Sequence, residues 1–253
     1  MAKKRLKKNV KKALIVSIII IAIIILTIVG VIATNYYLTY SEKLTPIDQK
    51  KDYYNISDFG YERLKSDKDY NNNGKDDYTD FLEAEKKFSS FNPKYVMEYY
   101  DNGYPPIEKE CISADLTWYA LKNAGYNLRD LIDKDIRLPK KKSTYYIDIP
   151  DSNIDFRRIY NQEIFFTRYI EVLNIDPYDI GNFMPGDILT FGDSDHLAMV
   201  SDKYNENGVP YIIHQNEGSQ KEEDCLEKED MKLTGHYRFK YNNKIQELIN
   251  MKE

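Results

Sequence analysis

Residues 13–34, ALIVSIIIIAIIILTIVGVIAT, form a run of 22 positions without a charged side chain in a chain of 253. As a helix such a run rises roughly 33 Å, which matches the roughly 30 Å hydrocarbon core of a bilayer. A fold in water has no way to cover so uniformly apolar a cylinder, so the run predicts a transmembrane helix. Its flanks set the direction. Lys3, Lys4, Arg5, Lys7, Lys8, Lys11 and Lys12 crowd residues 1–12 with no acid among them, and the positive-inside bias keeps such a tail cytoplasmic. The chain from Asn35 onward is then expected outside, on a protein that spans the plasma membrane once. A cleaved signal peptide is the rival reading, but its apolar region runs to about 7–15 residues and this one is longer.

The net charge of -5 hides that tail, because residues 13–253 carry 29 basic against 41 acidic side chains. An acidic domain repels polyanions, which sets nucleic acid aside as a partner. Hydrophobic residues make up 42% of the chain and 23 residues are Tyr, enough apolar surface for a packed core. The length suits one domain behind the anchor. Residues 35–66, polar and Tyr-rich, read as a stalk.

From residue 78 a helix is expected to run to about Phe91, because Pro93 disfavours α geometry at Asn92. Ile112, Leu116, Ala120 and Leu121 recur at helical spacing, and Gly125 follows as a stop. A second helix is therefore expected at or just after Cys111. Farther on, Pro185-Gly186-Asp187 turns into ILTF (188–191). HLAMVSD (196–202) and YIIHQ (211–215) read as strands joined by a turn at Asn205-Glu206-Asn207-Gly208. Helices followed by a β-meander predict an α+β domain. Residues 243–253 read as a tail.

Two groups of residues can carry chemistry. The first is Cys111 at a helix start, His196 at the head of one strand and His214 at the end of the next. A helix N-terminus stabilises a thiolate and later an oxyanion, one His takes the thiol proton, and a second polar group orients that His. Spacing alone does not separate this from a structural disulfide between Cys111 and Cys225 and two structural histidines. The second group is DYNNNGKDDYTD (69–80). Asp69, Asn71 and Asn73 alternate, Gly74 is sixth, Lys75 offers its carbonyl seventh, Asp77 is ninth and Asp80 twelfth, the plan of a calcium loop. Asp80 replaces the usual Glu, and Asp76 stands where an apolar residue usually packs. A solvated turn capping the next helix is the other reading. A weakly held structural calcium is the one cofactor expected, and none is required for chemistry.

Six ordered segments carry a resemblance: ADLTWYALKNAGYNLRDLIDKDI (114–136), NIDFRRIYNQEIFF (153–166), PGDILTF (185–191), HLAMVSD (196–202), PYIIHQNEG (210–218) and KEEDCLEKEDMKLTGHYRF (221–239). From about residue 60 to 240 the chain resembles the domain of unknown function 1287, grouped with NlpC-type papain-like amidases. The resemblance implies helices packed on an antiparallel sheet, with His196 as general base and His214, or alternatively Asn216, as its orienting partner. It also implies a Cys-Thr-Asp pattern opening the first helix. Counting back from Ala124-Gly125-Tyr126 through Trp118 and Asp115 places Ser113 in the nucleophile register, with Cys111 two residues early. Asp155, Arg157 and Arg158 are candidates to clamp a substrate carboxylate, since Arg forks match carboxylates; a structural ion-pair network is the alternative. Cys225 is expected to pack as a small hydrophobe and His236 to be structural. The function this implies is a membrane-anchored amide hydrolase or transferase acting on cell-wall peptides or glycopeptides, or a degenerate relative that binds such a peptide, or a protein partner, without cleaving it.

Overall fold

The computed structural model describes residues 20, 23, 25–35, 51–139, 144–145, 147–216, 221–228 and 232–252. Helix α1 (residues 25–35) covers the end of the apolar run, and Leu26 and Ile32 on it are exposed. The basic tail, most of residues 13–24 and residues 36–50 of the expected stalk lie outside the described residues. Among the described residues, no helix is long and apolar enough to cross a membrane.

From Asp52 the chain forms a compact unit of its own. Residues 52–66, read as the end of a stalk, are packed onto it. Tyr54 and Tyr204 exchange backbone hydrogen bonds at 2.8 Å in both directions, and Ile56 is buried beside Met184 and Tyr204.

Helix α2 (Asp77–Ser89) starts with Asp77 and Asp80 and ends with Lys86 and Lys87, the charge order a helix dipole favours. It stops short of Asn92-Pro93. Helix α3 (Asp115–Asn123) packs on it, followed by α4 (Leu128–Arg137), whose cap Asn127 accepts a hydrogen bond from Asp130 N. Helix α5 (Ile159–Tyr169) completes the helical layer. The expected tail is instead helix α6 (Asn243–Asn250), capped by Asn242, which buries Ile245 and Leu248. Lys134 Nζ bonds the carbonyls of Leu248 and Ile249 at 3.0 and 3.1 Å and ties α6 to α4.

Six strands make one antiparallel sheet in the order β3-β8-β4-β5-β6-β7, namely β3 (Glu171–Val172), β8 (Leu233–Arg238), β4 (Ile188–Phe191), β5 (His196–Tyr204), β6 (Pro210–His214) and β7 (Glu222–Glu223). A separate short parallel pair joins β1 (Lys94–Tyr95) to β2 (Glu110–Cys111). Gly186, at φ 94°, makes the turn into β4 that a side chain would strain.

Side chains alternate across a strand, and here they sort into two cores. Ile188, Leu197, Met199 and Ile213 join the helices and Cys111. Leu189, Phe191, Ala198, Val200 and Ile212 join Phe183, Val209, Cys225 and Leu226. Asp187 locks the meander to β8. Arg238 Nε donates to it at 2.7 Å and His236 Nε2 meets it at 2.9 Å, while the His236 ring stacks on Phe183.

Candidate functional site

His196 opens β5 and His214 closes β6, where it pairs with Ala198. Ala198 is two residues from His196, so both histidines stand on the same face of the sheet. His196 Nε2 lies 2.8 Å from His214 Nδ1, and His214 Nε2 lies 2.9 Å from the Glu223 carboxylate on β7. A carboxylate only accepts, so His214 Nε2 carries the proton and its Nδ1 accepts. His196 Nε2 must then donate, which leaves the His196 Nδ1 lone pair as the free basic atom. Burial, and next the neighbouring His214, push the His196 pKa down to about 4. The ring is neutral at physiological pH. Asn216, the alternative partner, is exposed at the strand end; it is His214 that reaches His196.

Neither nucleophile candidate lies on the helix. Cys111 belongs to β2, four residues before α3 begins, because parallel pairing with Tyr95 holds it extended. The helix expected at or just after Cys111 begins at Asp115, whose carboxylate accepts from Ile112 N at 2.8 Å. The Cys111 thiol is buried, and burial and then the Asp115 charge push its pKa up to about 12. That environment opposes a thiolate. Cys111 also packs with Leu197, Met199 and Ile213, the strand positions that alternate with the histidines. No disulfide joins it to Cys225. Ser113 sits in the turn that opens α3 and is 1% exposed.

The residues proposed to clamp a carboxylate do not converge. Arg157 is buried and donates to both Asp115 oxygens, from Nε at 2.7 Å and from an η nitrogen at 2.9 Å. Its other η nitrogen donates to the Glu98 carbonyl at 2.7 Å. Asp155, also buried, accepts from Asp151 N at 2.7 Å. Arg158 alone of the three is well exposed, 3.9 Å from Asp155.

Loop 69–80 gathers four of its six candidate ligands. Asp69 accepts from Asn73 N at 3.0 Å and Gly74 N at 2.8 Å, and Asn71 and Asn73 each accept from the backbone N–H two residues on. The amides of Asn71 and Asn73 both reach the Asp80 carboxylate, at 2.7 and 2.9 Å. Asp77 turns away instead, accepting from Tyr70 N and, at 2.6 Å, from the Tyr126 hydroxyl. The Lys75 ammonium pairs with Glu83. Asn71 also bonds the Asn123 carbonyl at 2.8 Å, so this loop holds the far end of α3.

Two residues of the site were missed from sequence. Glu223 lies in the charged stretch EEDCLEKED, where the sequence singled out only Cys225. Gln215 is buried beside His214 and donates to the Pro93 carbonyl at 3.1 Å, while its Oε1 has no hydrogen-bond partner among the described residues. Strand alternation could have flagged Gln215 as a buried amide, but no local signal marks Glu223.

An α+β domain whose sheet carries a His–His–Glu chain centred on the buried His214, and whose α3 follows a turn that holds Ser113, is the class that fold and site define. The chain belongs to the family described as Domain of unknown function (DUF1287), whose model matches residues 82–239. It is 30% identical over 156 residues to "Uncharacterized protein YijF" of Escherichia coli (strain K12), an alignment covering 59% of this chain and 73% of that protein. No solved structure matches it. The family match starts inside α2, so loop 69–80 precedes it.

Proposed function

We propose that this chain is a membrane-anchored, extracytoplasmic protein of NlpC-type, papain-like fold that hydrolyses or transfers amide bonds in cell-wall peptides or glycopeptides. The observation that carries the reading is the chain of hydrogen bonds from His196 through His214 to Glu223, which leaves one imidazole lone pair as a base. Ser113 is the nucleophile in this reading, with the N–H groups and dipole of α3 to steady the oxyanion. Cys111 takes the bystander's part because its thiol is pushed up rather than down. Arg158 remains to meet a substrate carboxylate. The anchor is the charge-free run 13–34 behind its basic tail.

The test is mass spectrometry of purified wall fragments incubated with the full chain in detergent. Wild type should release peptides, and His196→Ala should slow release by about 10²–10⁴, the usual contribution of a general base. Equal release by both proteins would sink the reading. A second reading, a binder of wall peptides or of a protein partner, is favoured by one observation: the His196 pKa is pushed down to about 4, so the base has little affinity for a hydroxyl proton. It predicts fragment binding with no release.

We also propose that loop 69–80 binds calcium through Asp69, Asn71, Asn73, Asp80 and the Lys75 carbonyl. The support is the convergence of both Asn side chains on Asp80; each amide oxygen has two lone pairs, and the backbone N–H it accepts uses one. Two carboxylates place the affinity in the weak range of extracellular modules. Calcium at about 10–100 times its Kd should raise the melting temperature by roughly 5 °C, and a chelator should reverse the gain. Asp69→Ala should abolish the response. A melting temperature indifferent to calcium removes the ion from the account.

A further inference from the structure

A third set of donors lies at the outer edge of the sheet. The β6–β7 pairing sets Ile213 opposite Glu222 and Ile212 opposite Glu223, and Cys225 follows two residues later, on the second core. His214 Nε2, a Glu223 carboxylate oxygen and Cys225 Sγ all lie within 4.8 Å of one another. In a tetrahedral zinc site the same donors stand about 3.3–3.8 Å apart, given metal–ligand bonds of roughly 2.0–2.3 Å. A small contraction closes the set. His214 and Cys225 are buried while Glu223 is partly open, which gives an ion a way in. Lys228 Nζ bonds the second Glu223 oxygen at 3.2 Å, leaving the first aimed at His214. The Lys228 side chain is more than half exposed, so solvent screens its charge.

We propose that His214, Glu223 and Cys225 form a three-ligand site for a divalent ion of the zinc class, with the fourth position left to water. Calcium and magnesium are poor fits, since only one of the three donors is oxygen. The proton balance is simple. Cys225 releases its thiol proton to solvent, and the single ring proton of His214 moves from Nε2 to Nδ1 as Nε2 takes the metal. His214 Nδ1 then donates to His196 Nε2, which pushes the His196 proton onto its own Nδ1. The atom that served as base becomes a donor, so a filled site silences the relay. This regulatory consequence rests on the hydrolytic reading above; metal binding itself does not.

The test is a cobalt(II) titration of the full chain, in detergent, reduced and freed of metal beforehand. A thiolate-to-cobalt charge-transfer band should grow in wild type and in Cys111→Ser, and should be absent in Cys225→Val, which keeps the core volume and removes only the sulfur. Glu223→Gln should weaken cobalt binding by about tenfold or more. No band in wild type, or a band that survives Cys225→Val, overturns the site. Because the spectrum needs no substrate, inactivity toward wall fragments leaves this result standing, and absence of the band leaves the hydrolytic reading standing.

Discussion

Arg157→Met should destabilise the domain by about 3–5 kcal/mol, the range for removing one partner of a buried ion pair. The substitution keeps the length of the side chain and takes away its charge, so Asp115 is left ionised and buried with only Ile112 N and Trp118 Nε1 as donors. The melting temperature should fall by roughly 6–20 °C for a domain of this size. Equilibrium unfolding in urea measures the loss. The double variant Asp115→Leu/Arg157→Met should recover a large part of it, because an apolar pair of similar volume leaves no charge behind. A single-variant loss under about 1 kcal/mol would mean the pair is solvated and does not organise the turn that carries Ser113.

That ion pair also marks where sequence reading stops. The two arginines in NIDFRR offered forks for a carboxylate, and one of them found its carboxylate 42 residues earlier in the same chain. Nothing local in the sequence encodes a pairing at that distance. The same holds at Cys111, whose extended conformation is imposed by Tyr95 across a parallel pairing, against a helical apolar pattern that begins at Ile112. Period-2 patterns fared better. The turn at Pro185-Gly186-Asp187, the strands at ILTF and HLAMVSD and the hairpin at Asn205–Gly208 are where local chemistry puts them, because each depends on neighbours a few residues away. The same-face placement of His196 and His214 follows from that hairpin. Glu223 does not, since only the β6–β7 pairing picks one carboxylate out of EEDCLEKED. Helix α6 was legible and passed over: Asn242 is a good cap, and Ile245, Leu248 and Ile249 recur at helical spacing.

The Ser113 series should give the largest change in activity. If Ser113 is the nucleophile, Ser113→Ala should lower amide hydrolysis by a factor on the order of 10³ or more, since the base then has no group to activate. Cys111→Ala should leave the rate within about threefold, because a thiol raised to about 12 contributes nothing near neutral pH. The pH profile separates a relay from a merely buried pair of histidines. His196 acts as a base only when neutral, and its pKa is held at about 4, so the rate should stay level as pH falls from 7 and drop only near pH 4. An ordinary histidine would bring that drop near pH 6.5. Ser113→Cys puts a better nucleophile at the same atom, and its thiol should label rapidly with an alkylating probe, in a manner lost on adding His196→Ala. An active wild type whose rate survives Ser113→Ala and vanishes in Cys111→Ala would return the role to Cys111 and require β2 to release it. A silent wild type with an active Ser113→Cys would mean that the natural chain keeps the relay and the binding surface but has given up the reaction.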